Sequence, residues 1–268
     1  MIVATRTISK TIESKAGFQT IDISYGVDLT LFSPTPPHSR EADHLYDRLN
    51  LDKGKPIILH VGRLDVDKRV EVVIRAASQA LEQIDAQLLV VGDGECRGAL
   101  MDLATHLGIG ERCYFPGFLN PKTEIPAIYR IASVFTTASE IETQGLVLLE
   151  ALASGLPVVA VEATCIPELI KHNINGFLVQ PGDVNALADK LVKTLNNPSR
   201  GHQMGKIGRL IAQGHSMDES MDKHEDLYKS VVKAYQRIRK PKPAITKVPE
   251  ERKIIKLYQK ILDQLERS

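Results

Sequence analysis

Between residues 56 and 196 the sequence alternates short apolar runs with amphipathic stretches, and few folds accept that alternation. The segment 56–62 (PIILHVG) is apolar at successive positions, as a strand covered on both faces must be. The segment 69–82 instead repeats apolar residues at Val70, Val73, Ile74, Ala77 and Leu81, the spacing of one helix face. The pattern recurs. Residues 86–92 (AQLLVVG) predict a second buried strand and 96–107 a helix. Residues 113–115 predict a short strand before Pro116-Gly117, 125–131 a helix and 133–136 a strand. A helix from about 145 to 154 leads through Gly155-Leu156-Pro157 into a strand over 158–161, and Asp183 is placed to cap a helix over 185–195. Buried strands alternating with helices belong to a parallel sheet covered on both sides, so the expected fold is a doubly wound α/β domain. Ligands of such sheets sit beyond the carboxyl ends of the strands, which directs attention to the loops after Gly62, Gly92, Phe115 and Thr136.

The ends of the chain read differently. Residues 21–25 predict a further strand, followed by a connector from Gly26-Val27-Asp28 to Pro34, Pro36 and Pro37. Residues 240–249 (KPKPAITKVP) read as a linker before an amphipathic helix carrying Ile254, Leu257, Tyr258, Ile261 and Leu265 on one face. A formal net charge of +1 gives no support to a nucleic-acid partner. Three widely separated cysteines form neither a disulfide framework nor a zinc pattern, which fits a reducing cytosol. No apolar run has the length of a membrane span and no leader pattern follows Met1. The expected location is cytoplasmic, with peripheral contact at a membrane left open.

Arg63 and Lys68 flank the loop after the first buried strand, where a guanidinium and an ammonium suit a phosphate or diphosphate. Solvated surface charges are the alternative. Asp65 and Asp67 between them imitate a metal-binding Asp-x-Asp, but between two cations capping and local ion pairing are the expected roles, and no metal is predicted. The segment 142–150 (ETQGLVLLE) carries Glu142 and Glu150 eight residues apart. Gly145 lets a ligand approach, and the free amides of Gln144, Gly145, Leu146 and Val147 can face an anion at a helix start. Glu150, one turn further on, points back toward that start and can accept hydrogen bonds from two vicinal hydroxyls such as a ribose offers. The alternative makes Glu142 a loop charge and Glu150 an ordinary helix glutamate, but the apolar setting of Glu150 argues for a task, because a buried carboxylate without a partner is costly. Gly92-Asp93-Gly94 either brings backbone close to a nucleotide or is a strand-to-helix turn with Asp93 as N-cap. Phe118 and Leu119 lie in a turn that could offer a uracil the backbone groups of Leu119, with a plain turn the equal alternative. His60, inside an apolar strand, reads as a packed core histidine.

In order and spacing, GVDLTLFSP (26–34), HVGRLDVDK (60–68), VVGDGE (90–95), YFPGFL (114–119), ETQGLVLLEALASGLPVVA (142–160) and NGFLVQPGD (175–183) together resemble one family. It is the two-domain retaining glycosyltransferases related to sucrose synthase, glycogen synthase and mannosyltransferases, and the likeness is to their C-terminal half. The resemblance implies a Rossmann-like domain of a GT-B-type enzyme, two such domains facing across a cleft. Residues 1–36 would be the remnant of the N-terminal domain and connector, 37–239 the nucleotide-sugar domain, and 240–268 the linker and final helix. It further implies that Arg63 and Lys68 hold the donor diphosphate, Glu142 the sugar and Glu150 the ribose. The amides near Leu146 would assist, no metal would be needed, and the hexose donor is expected to be a UDP-sugar. The acceptor-binding N-terminal domain, in the same chain or a partner chain, would complete the active site, so this chain alone is expected not to transfer sugar. The Glu-Thr-Gln-Gly form of the motif leans toward lipid-directed members. Arg69 stands where a glycine often follows the lysine, and Tyr25 where the connector usually has asparagine; neither position is an implied donor contact. A non-catalytic nucleotide-sugar module or a subunit of a split enzyme is the alternative. A sugar-nucleotide epimerase of the same architecture fits the glutamate spacing less well.

Overall fold

The computed structural model describes residues 1–34 and 40–239. At the N-terminus, β1 (Ile2–Val3), α1 (Arg6–Ala16) and β2 (Ile21–Asp22) form a small parallel pair with its crossover helix. The strand expected over 21–25 thus ends after two residues. Helix α2 (Arg40–Leu49) leads into the main sheet, whose strands are β3 (Ile57–Val61), β4 (Gln87–Val91), β5 (Cys113–Gly117), β6 (Val134–Thr137), β7 (Val158–Val161) and β8 (Gly176–Val179). Every neighbouring pair is parallel, in the order β5-β4-β3-β6-β7-β8. The chain therefore builds outward from β3 in one direction, returns, and builds from β6 in the other. Right-handed crossovers then place α3 (Val70–Leu81) and α4 (Arg97–His106) on one face. They place α5 (Glu124–Ile131), α6 (Leu146–Ala153) and the short α7 (Ile166–Leu169) on the other. Helix α8 (Val184–Leu195) packs on α3, α9 (Pro198–Gln213) on α6, and α2 on α5. The doubly wound architecture is the one expected.

All residues of β3, β4, β6 and β7 are buried, which is why their sequences lack a polar alternation. The apolar face predicted for α3 is the buried one, and Asp183 caps α8 by accepting from the Ala186 amide at 2.9 Å. The chain divides into two compact units, Met1–His224 and Glu225–Ser268. Helix α10 (Met217–Arg239) supplies the described part of the second. The linker and helix expected beyond residue 240 lie outside the described residues. Among the described residues no helix is long and apolar enough to cross a membrane.

Two glycine-dependent contacts position the loops at the carboxyl end of the sheet. Gly92, at φ 131°, lies so close to the preceding loop that a Cβ would stand 1.8 Å from the Gly62 carbonyl oxygen. A Cβ on Gly94 would stand 2.6 Å from the Leu64 carbonyl carbon. The two loops are stitched by Gly62 N donating to Val91 O (3.0 Å), Leu64 N to Asp93 O (2.9 Å) and Cys96 N to Leu64 O (2.9 Å). The glycines of Gly92-Asp93-Gly94 thus admit another loop. Asp93 is not the N-cap of α4, which is Cys96; its carboxylate accepts from the Gly94 amide at 2.8 Å.

Arg69 joins a 3-10 turn over Val66–Lys68 to α3 at φ 52°, in the left-handed region where a side chain is strained. That conformation is the physical reason for a glycine at such a position. Here the Arg69 guanidinium pairs with Glu71 (2.8 Å) and Glu140 (3.8 Å), but exposed pairs stabilise little. Arg69→Gly is expected to raise the melting temperature by about 2 °C, relief of roughly 1 kcal/mol. A fall in melting temperature would mean that the ion pairs outweigh the strain.

Candidate donor site at the strand-order reversal

The reversal lies between β3 and β6, and there a cavity of about 330 Å³ opens above the sheet. His60 to Arg63 enter it from the end of β3, Thr137 from the end of β6, Lys68 from the 3-10 turn, and residues 142–147 from the start of α6. Such a crevice, outside the carboxyl ends of strands that diverge, is the general ligand position of open parallel sheets.

Gly145 starts α6 at φ 72°, and no side chain caps the helix. Its carbonyl takes the amides of Leu148 (3.0 Å) and Leu149 (3.1 Å). The amides of Gln144, Gly145, Leu146 and Val147 meet no acceptor among the described residues, as the sequence predicted. These are the orphan donors that every helix start leaves, here opening on a cavity that also holds cations. This turn favours glycine because of its φ of 72°, and a Cβ on Gly145 would also press on the end of the Leu148 side chain at 2.8 Å.

Lys68 and Glu142, separated by 74 residues in sequence, form an ion pair at 2.8 Å. Both side chains are mostly buried, 17% and 14% exposed. Lys68 Nζ also donates to Ile141 O at 3.4 Å and lies 3.8 Å from Asp67. Arg63, largely exposed, pairs with Asp65 and with Asp67 (3.3 Å). The two aspartates thus make the local ion pairs expected of them. Asp65 makes no side-chain cap to the 3-10 turn.

The Gln144 side chain is turned to the N-terminal segment, its Oε1 accepting from Tyr25 N (3.2 Å) and its Nε2 donating to Ser24 Oγ (2.9 Å). Thr5 Oγ1 donates to Thr143 O at 3.1 Å, so the loop is anchored from that side too. Tyr25, expected to stand apart from the donor contacts, lines the cavity. Glu150 does not line it directly. Its Oε2 accepts from the hydroxyl of the fully buried Tyr129 at 2.9 Å, and Oε1 meets no partner among the described residues. Burial pushes the Glu150 carboxyl up to about 7, opposed by the Tyr129 hydrogen bond. The sequence showed the need for a partner but not its identity, since a tyrosine within an apolar helix reads as core. Phe118 and Leu119 follow β5 and do not line the cavity; Phe118 is 81% exposed and Leu119 is buried.

The family model for glycosyl transferases group 1 matches residues 43–211. Over 195 residues the chain is 28% identical to N-acetyl-alpha-D-glucosaminyl L-malate synthase of Bacillus anthracis, covering 72% of this chain and 50% of the relative. It is 35% identical over 187 residues to a sulfoquinovosyl transferase of Arabidopsis thaliana, covering 69% and 34%. The chain thus spans half or less of the length of these relatives. Among solved structures, sucrose-phosphate synthase of Thermosynechococcus elongatus superposes with a TM-score of 0.77 at 29% identity, over 87% of this chain and 58% of that one. HepE of Anabaena, solved in complex with UDP-glucose, gives 0.76 at 25% identity, over 85% and 63%.

Proposed function

Because the chain belongs to the glycosyl transferases group 1 family, we propose that its cavity binds the nucleotide-sugar donor of a hexosyl transfer that retains anomeric configuration. The observation that carries this reading is the meeting of Lys68, Arg63 and the unbonded amides at the start of α6 in one cavity. A diphosphate seated there takes hydrogen bonds from the amides and charge from the two cations. Its negative charge grows as the sugar departs, so donors already in place stabilise the transition state more than the ground state. No metal is assigned to this task, and Asp65 and Asp67 already face Arg63.

The cations first have to exchange partners. Lys68 leaves Glu142 for a phosphate oxygen, which frees the Glu142 carboxylate to accept from hydroxyls of the sugar. Glu150, which lies outside the cavity lining, is assigned to the ribose through Oε1, the oxygen that Tyr129 does not take. The complex of HepE with UDP-glucose supports a UDP-linked donor. An acceptor-binding domain completes the enzyme in this reading, with a lipid as the acceptor class favoured by the Glu-Thr-Gln-Gly segment. The 268-residue chain is expected to bind donor without turning it over, because transfer requires an acceptor hydroxyl held against the anomeric carbon.

Calorimetry with UDP and UDP-glucose in the presence of chelator tests the assignment. Binding is expected without metal, and Lys68→Ala is expected to weaken UDP about tenfold or more, the scale of a charge-assisted hydrogen bond. Absence of binding at millimolar nucleotide would sink the reading.

A further inference from the structure

His60 takes no part in the contacts assigned so far. It is the only polar residue of β3, a central strand flanked by β4 and β6, and it is 1% exposed. An aliphatic residue would fill this position at lower desolvation cost unless both ring nitrogens found partners. One does. Nδ1 lies 3.0 Å from the Thr136 carbonyl oxygen, and a carbonyl only accepts, so Nδ1 carries the hydrogen. Burial pushes the imidazole down to about 4, which keeps the ring neutral and leaves the lone pair on Nε2. Nε2 is buried without a partner among the described residues, and His60 is one of the residues that line the cavity. A Cβ on Gly62 would stand 3.5 Å from Nε2.

An unprotonated Nε2 repels phosphate oxygens, which are acceptors themselves. Its partner has to bring a hydrogen. The base, the ribose and the hexose of a nucleotide-sugar all bring hydrogens. Glu150 and Leu119, read as the ribose and base contacts, lie outside the cavity lining, whereas Glu142, read as the hexose contact, is part of it. We propose that His60 Nε2 accepts a hydrogen bond from a hydroxyl of the donor sugar, which makes His60 a specificity residue at the floor of the site. The assignment rests on the donor reading of this cavity and adds a contact to it.

Three variants of the 268-residue chain separate the ring's two nitrogens. His60→Phe keeps the ring volume and removes both. His60→Asn keeps an amide near Nδ1 only, and His60→Gln places an amide near Nε2. Dissociation constants for UDP and for UDP-glucose are measured by calorimetry on each, after thermal melts establish folding. UDP affinity is expected to stay within about twofold throughout. The ratio of UDP-glucose to UDP affinity is expected to fall about five- to tenfold in His60→Phe and His60→Asn, and to be largely retained in His60→Gln. His60→Asn gives the same answer should His60→Phe fail to fold. Equal losses for both ligands, or an unchanged ratio while UDP still binds, overturn the contact and leave His60 a packing residue. Failure of the unaltered chain to bind UDP overturns the donor reading and this contact together.

Discussion

Gly92→Ala is expected to melt at least about 10 °C below the unaltered chain, a loss of more than about 4 kcal/mol. The added methyl would stand 1.8 Å from the Gly62 carbonyl oxygen, and that obstacle is backbone, with no flexible end to swing aside. The backbone at φ 131° is also one that alanine rarely adopts. Relief requires separating the loop after β4 from the loop after β3, which gives up Gly62 N–Val91 O and Leu64 N–Asp93 O. Those bonds hold the segment that carries Arg63, so any folded fraction should also bind UDP more weakly. Gly108→Ala is the control, at φ 73° with nothing within 4 Å of the added atom. It should lose only the left-handed penalty, about 1 kcal/mol. Urea or thermal melts of the two variants within a few degrees of each other would show that the loops separate cheaply.

Glu150 is expected to have opposite effects on stability and on binding. Its carboxyl rises from 4.5 to about 7 on folding, chiefly through burial. The folded state therefore holds its proton more tightly than the unfolded chain does. That contribution to stability is complete below pH 4.5 and is lost as pH rises through 7, by up to about 3 kcal/mol. Glu150→Gln, which mimics the protonated form, should match the unaltered chain near pH 4.5 and melt several degrees higher at pH 8. Glu150→Ala should weaken UDP by about 1.5–3 kcal/mol, or roughly 10- to 100-fold, if the carboxylate meets the ribose. Glu142→Ala should leave UDP binding no weaker, and tighter to the extent that Lys68 no longer has to leave a carboxylate, while reducing discrimination between UDP and UDP-glucose. Equal effects of the two alanine variants on UDP would contradict the division of roles, and a melting difference at Glu150 that ignores pH would contradict the burial argument.

The parallel sheet was legible because its inner strands are mostly apolar with no alternation of polar residues, a pattern that coverage on both faces requires. Strand β8 and helix α9 were not anticipated. β8 is four residues that begin with Gly176, and α9 places glycines at 201, 205 and 208 where a periodic apolar face would otherwise show. Those glycines have a packing reason that no local pattern carries. A Cβ on Gly205 would stand 1.8 Å from the Gly155 carbonyl oxygen. At the site, the free amides at the start of α6 could be foreseen because helix geometry alone leaves them unpaired. The Lys68–Glu142 pair and the Tyr129–Glu150 bond could not, since each joins elements distant in sequence that meet only through the crossover order. His60 was expected to be core, and it is buried. Its exceptional feature, a buried acceptor without a partner at a residue that lines the cavity, depends on β6 presenting Thr136 O to the other nitrogen.

The partnering of Arg63 and Lys68 with Asp65, Asp67 and Glu142 also bears on how fast a ligand arrives. Three carboxylates around two cations leave no excess positive charge to project a field into solvent. A diphosphate approaching from a distance is not steered, so association should run at the ordinary rate of about 10⁵–10⁷ M⁻¹s⁻¹ with little dependence on ionic strength. Inorganic phosphate and other abundant polyanions gain no local enrichment either. Selection is deferred to contact, where only a ligand able to replace each carboxylate in turn, and to give Glu142 a hydroxyl in exchange, remains bound.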